Sequence, residues 1–212
     1  MRRPLRLLKA IRSLVFAISG LLILFASAPA QEPDSARAAK LMDDLMWGRG
    51  SVGGPFTLID HTGKTRTDAD FRGKLLLVYF GYTYCPDVCP TDLLQISMAV
   101  DKLGAAGEDV QPLFISVDPE RDTPSVLAQY VSLFSARLIG LTGTPEQIQK
   151  IADAYKVYYA KYTPPDGGAY MIDHTGFIYL MGRAGEYLGF FPPGTSADRL
   201  VEIIRPHLTP RE

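Results

Sequence analysis

The stretch that most constrains this chain is KLLLVYF, Lys74–Phe80, six apolar residues in a row behind one charge. Such a run has no polar face to give to water. It reads as a strand buried on both sides. A second run, VQPLFISV at Val110–Val117, has the same character. Between them, TDLLQISMAVDKLG places Leu93, Leu94, Met98 and Leu103 at helical spacing, with Met98 expected in the core beside Leu94, and stops at Gly104. Buried strand, helix, buried strand predicts a parallel pair with a crossover helix.

The remaining elements follow from local chemistry. PFTLID, the turn HTG and the polar return KTRTDADF form a hairpin at the domain start. Thr123 and Thr144, each followed by proline, are N-caps opening two helices. RLIGLTG is a short strand and turn, TPPDGGA (163–169) a loop, and YMIDHTGFIYLM an apolar hairpin. TSADRLVEIIRPHL is a closing helix capped by Thr195 or Ser196. The expected fold is α/β and thioredoxin-like, with a central mainly parallel sheet flanked by helices and an N-terminal β-hairpin extension.

The N-terminus has a different composition. Arg2, Arg3, Arg6, Lys9 and Arg12 precede Ser13–Gln31, which carries no charge. Two readings compete: a cleaved signal peptide ending at Ala28–Ala30, or a transmembrane anchor. Nineteen uncharged residues approach spanning length and favour the anchor. Residues 1–12 are then a basic cytoplasmic tail, 13–31 one transmembrane helix, 32–50 a tether containing a short helix, and 51–209 the folded domain. Either reading exports that domain, and a bacterial-type inner membrane with the domain facing the periplasm is the expected location. A net charge of −1 gives no footprint for nucleic acid.

The first buried strand runs straight into Cys85-Pro86-Asp87-Val88-Cys89-Pro90, which holds both cysteines of the chain. Ligands of open α/β sheets bind at such strand ends. Pro90 suits the first helical position, which places Cys89 near the N-cap, where the helix dipole stabilises a thiolate. A structural bridge closing so short a loop stabilises little. Export favours a Cys85–Cys89 disulfide when the pair is oxidised. The pair therefore reads as a redox couple or a soft-metal site. A three-residue spacer, where thioredoxin-type motifs have two, tilts towards metal.

Ile-Asp-His-Thr-Gly occurs twice, at 59–63 and 172–176, in a chain with three histidines. Asp-x-x-Gly is ordinary turn chemistry in both places. His61, before a polar return strand, is expected to face solvent. His207, in the last turn of the closing helix, suits the dipole there. His174 remains open between turn residue and ligand. DPERDT reads first as a helix entry through Asp122, Thr123 and Pro124, with Glu120 and Arg121 available to a partner protein. Tyr82 and Tyr84 flank the cysteine motif, as a shield or a contact surface.

GYTYCPDVCPTDL, FISVDPERDTP and YMIDHTGFIYL, in this order, resemble the Sco/SenC family of copper chaperones for cytochrome c oxidase assembly. The first hairpin resembles that family's domain start, and the likeness runs over about residues 51–207. VCPTDL also resembles the reactive-cysteine stretch of peroxiredoxins, but Pro86 and Tyr82 stand where those enzymes carry threonine and proline. The Sco/SenC resemblance implies one copper ion, Cu(I) or Cu(II), held by Cys85, Cys89 and His174, with Asp173 orienting the imidazole. It implies delivery to the dinuclear copper A site of oxidase subunit II, alongside periplasmic copper donors or thiol reductants. The alternative it carries is a thiol-disulfide oxidoreductase that keeps that site's cysteines reduced.

Overall fold

All seven residues of β3 (Leu75–Gly81) are buried, as its unbroken apolar sequence requires. The computed structural model describes residues 34–47, 51–165 and 167–208. The expected basic tail and membrane span lie outside them. No helix among the described residues is long and apolar enough to cross a membrane. In the segment expected as a tether, Asp34–Met46 forms helix α1. It buries Leu45, and Arg37 pairs with Asp153 at 2.7 Å.

The central sheet also contains β1 (Thr57–Asp60), β2 (Thr65–Thr67), β4 (Val110–Ser116), β5 (Ile139–Thr142), β8 (Ile178–Met181) and β9 (Tyr187–Phe191). Its order is β2-β1-β5-β4-β3-β8-β9. Among the described residues only β3–β4 and β4–β5 are parallel; the flanking β1–β2 and β8–β9 hairpins enter antiparallel. The sheet is thus mixed, not mainly parallel. Helices α2 (Val88–Lys102), α3 (Pro124–Val131), α4 (Pro145–Ala154) and α5 (Ala197–Leu208) flank it. The Thr-Pro caps form as expected: Thr123 accepts from Val126 N–H, and Thr144 from Gln147 N–H in a reciprocal capping box.

Two expectations fail in ways that matter for the site. YMIDHTGFIYLM is not a hairpin. Its first half is β7 (Met171–His174), paired antiparallel with β6 (Tyr159–Tyr162) in a separate two-stranded sheet. Its second half is β8, which pairs with β3 and β9. Nor is Met98 in the core: it is 40% exposed and Leu94 49%, while Leu93, Ile96 and Val100 face inward. Leu94 and Met98 share a helical face, but the competing stripe of Cys89, Leu93, Ile96 and Val100 meets the sheet.

Register explains how distant segments converge. β8 runs antiparallel to β3 with Tyr79 opposite Ile178. The chain entering β8 therefore arrives where β3 ends. Because β4 is parallel to β3, with Gly81 opposite Ser116, the loop after β4 leaves at the same edge. The cysteine loop, the DPERDT loop and the His174 strand meet there.

Candidate metal centre

Helix α2 begins at Val88, two residues before Pro90, so Cys89 is its second residue and not its cap. Its side chain is fully buried, whereas Cys85, in the loop before the helix, is half-buried. The backbone leaves no slack around the inner sulfur. A methyl group at Gly81 would lie 2.8 Å from Cys89 Sγ and 3.0 Å from the Phe114 ring.

The ligand atoms of Cys85, Cys89 and His174 lie within 4.8 Å of one another. Cys89 Sγ and His174 Nε2 are 3.3 Å apart. His174 Nδ1 lies 3.2 Å from the carbonyl of Thr175. A carbonyl can only accept, so Nδ1 donates in this contact and Nε2 is the ring nitrogen that faces the sulfurs. The rings of Tyr79 and Tyr82 meet the imidazole edge-on, at centroid distances of 6.3 and 5.9 Å. Buried Tyr82 thus packs on the site, while Tyr84 is exposed at its rim.

The charge sits on the opposite sulfur from the one expected. The Cys85 thiol is lowered to about 4, first by a hydrogen bond from Cys89, against burial, and then by His174 and the backbone of Asp87 and Cys89. Cys89 is pushed far up by its neighbour Cys85 and by burial. Two sulfurs share one proton, and the enclosed one keeps it. A helix dipole at the N-terminus of α2 does not overcome complete burial.

The other expected residues fall outside this cluster. Asp173 is exposed, one step along β7 from His174 and so on the other side of the strand. Orientation of the imidazole comes from the Thr175 carbonyl. His61 does not simply face solvent: it is half-buried, and its Nδ1 accepts from Gly140 N–H at 3.2 Å. His207 lies in the last turn of α5, as expected. Glu120 pairs with Lys161 at 2.7 Å, and Arg121 turns inward onto Tyr170. Sequence reading missed the floor of the site. Asp92, one turn beyond Cys89, is fully buried and accepts from Gly194 N–H at 2.8 Å. Burial raises its carboxyl, and it borders the equally buried Tyr79.

Two thiols and an imidazole are soft and borderline donors that suit copper. Two metal–ligand bonds of about 2.0–2.3 Å laid end to end span about 4–4.6 Å. The observed spacing fits one ion with little rearrangement.

The SCO1/SenC family model matches residues 46–209. Protein SenC of Rhodobacter capsulatus is 48% identical over 153 residues, covering 72% of this chain and 69% of SenC. The human mitochondrial protein SCO1 homolog is 40% identical over 202 residues, 93% of this chain; the chain spans 66% of the human protein's length. Among solved structures, Bradyrhizobium japonicum ScoI with copper bound is 43% identical with a TM-score of 0.69, covering 74% of this chain and 99% of that one. A thioredoxin-like mixed sheet with both cysteines and His174 at one edge, and a family match over most of its length, make this chain a member of the SCO1/SenC family.

Proposed function

We propose that this protein is a copper metallochaperone that binds one copper ion through Cys85, Cys89 and His174. The observation that carries the reading is the convergence of three soft or borderline ligand atoms within 4.8 Å from segments 85 residues apart. Cys85 is the half-exposed thiolate of the set, so an exchanging ligand reaches the ion from its side. Cargo is delivered to the dinuclear copper A site of cytochrome c oxidase subunit II. The uncharged stretch 13–31 anchors the chain in the cytoplasmic membrane, and residues 51–209 work in the periplasm. Ligand and redox states are linked, because joining Cys85 to Cys89 as a disulfide removes both sulfur donors.

The low Cys85 thiol favours a second reading: a thiol-disulfide oxidoreductase acting on the cysteines of that same site. Titrating the reduced protein with Cu(I) and Cu(II) separates the two. The chaperone reading expects one copper per chain, with His174→Ala losing Cu(II). Absence of stoichiometric copper binding would sink it, and unimpaired thiol exchange in the His174 variant would then support the reductase.

A further inference from the structure

The loop 117–123, between β4 and α3, contributes no sulfur and no imidazole, yet it touches both segments that do. On the cysteine side, buried Asp122 accepts from Thr83 N–H at 3.0 Å and from Thr83 Oγ1 at 2.6 Å. On the histidine side, Tyr170 donates its hydroxyl proton to Asp118 at 2.8 Å. Arg121 reaches both. Its Nε donates to Asp118, and its Nη1 donates to the Tyr170 carbonyl at 2.9 Å. Its Cζ lies 3.7 Å from the Tyr170 ring centroid, 4.9 Å from Tyr84 and 5.7 Å from Tyr82. Nη2 is enclosed, finds no hydrogen-bond acceptor among the described residues, and has these ring faces beside it.

The sequence positions give this wedge its meaning. Tyr84 immediately precedes Cys85. Tyr170 immediately precedes β7, which ends in His174. Among the described residues the β6–β7 ribbon that carries His174 forms a sheet of its own, with no strand pairing to the central sheet. Two-stranded ribbons are marginal by themselves, so side chains must hold this one in place. The sulfurs, by contrast, ride on and beside α2, which packs on the core.

We propose that Arg121 is a positioning residue of the metal centre, joining the cysteine loop to the histidine ribbon and thereby fixing the imidazole at the sulfurs. This rests on the copper reading above and adds selectivity to it. Cu(I) is satisfied by two thiolates, whereas Cu(II) needs the nitrogen donor as well. Loosening the wedge frees the ribbon, costs Cu(II) its third ligand and leaves the thiolate pair to Cu(I).

The test compares the full chain with Arg121→Lys, Tyr170→Leu and Tyr170→Phe. Lysine keeps a cation beside Asp118 but cannot fork to the Tyr170 carbonyl or stack flat. Leucine removes the ring and leaves the Arg121–Asp118 pair, so it decides the matter should the Arg121 variant unfold. Phenylalanine keeps the ring. Cu(II) charge-transfer absorption, the electron paramagnetic resonance signature and competition affinities for both ions are read. Arg121→Lys and Tyr170→Leu should shift the spectra towards those of His174→Ala without reaching its complete loss, with Cu(II) affinity down by about 10–100-fold and Cu(I) affinity nearly unchanged. Tyr170→Phe should recover most of the wild-type signature. Folded Lys and Leu variants with wild-type Cu(II) spectra and affinities would overturn the proposal, as would a Phe variant as damaged as the Leu variant. If the wild type bound neither ion, the copper reading would fall instead.

Discussion

Residues 59–63 and 172–176 spell the same five letters and use each of them differently. In the first copy the strand phase buries Leu58 and Asp60 and exposes Ile59. In the second it buries Ile172 and exposes Asp173. A shift of one residue exchanges the two faces of a strand. Asp60 is therefore an internal anchor, accepting from Thr62 N–H and Oγ1, Lys64 N–H and Arg66 Nε. Asp173 is exposed, and His174, the next residue, turns its ring to the sulfurs. The backbone after each differs too. Gly63 N–H closes a turn onto Asp60, whereas Thr175 continues pairing with Tyr158. Identical local sequence does not carry identical function; the pleat phase set by distant partners does.

The largest expected effect breaks this pair at its histidines. His174→Ala should abolish Cu(II) binding and leave the fold intact. His61→Ala should leave copper binding unchanged and lower stability by about 1–3 kcal/mol, because Gly140 N–H loses its acceptor. Copper titration and urea unfolding read the two. Equal loss of copper in both variants would erase the distinction.

The aspartates should behave in the opposite sense. Asp60→Asn is expected to cost about 2–3 kcal/mol, since a buried acceptor of charged and neutral donors is weakened. Asp173→Asn, exposed, should stay within about 0.5 kcal/mol. Acid sharpens this. Burial pushes the Asp60 carboxyl up, but hydrogen bonds from Thr62, Arg66 and Lys64 outweigh it and hold it well below the usual range. A depressed folded value stabilises above the unfolded pKa, about 3.9, and loses that contribution as pH falls further. Unfolding at pH 5 and at pH 2–3 should show a steeper acid loss in the wild type than in Asp60→Asn. Parallel curves would remove Asp60 as the anchor.

What was legible in the sequence was whatever local chemistry decides. The β3 run, the Thr-Pro caps and the cysteine pair at a strand end needed only neighbours within a turn or two. What was not legible depended on which strand pairs with which. YMIDHTGFIYLM has the look of a hairpin because two apolar runs flank Asp-x-x-Gly, yet β7 leaves with β6 and β8 joins β3. YAKY gave no clear sign of a strand. On α2, Leu94 and Met98 share a face as well as any core pair would, and nothing local shows that the sheet meets the Cys89–Leu93–Ile96 stripe instead. The protonation order of Cys85 and Cys89 was invisible because it follows from burial, and burial is tertiary. The residues around His174 leave it between turn residue and ligand; only the three-motif resemblance distinguishes it from His61.

The smallest expected effect concerns the two glycines. Gly63 has φ +85°, a left-handed conformation that a side chain resists. Gly63→Ala should cost about 1–2 kcal/mol in urea unfolding while leaving the copper signature alone. Gly176 has no such φ. A methyl there would meet exposed Pro193 at 3.1 Å, which can yield by a few tenths of an ångström. Gly176→Ala should therefore hold its stability within about 0.5 kcal/mol. It borders the same cleft as His174, so any change should show in the Cu(II) spectrum. The first copy thus uses its glycine for backbone conformation, whereas the second packs its glycine against Pro193 at the edge of the cleft that His174 lines. A Gly176 variant that lost stability as Gly63→Ala does, with an unaltered spectrum, would mean both copies serve as turns and that only His174 separates them.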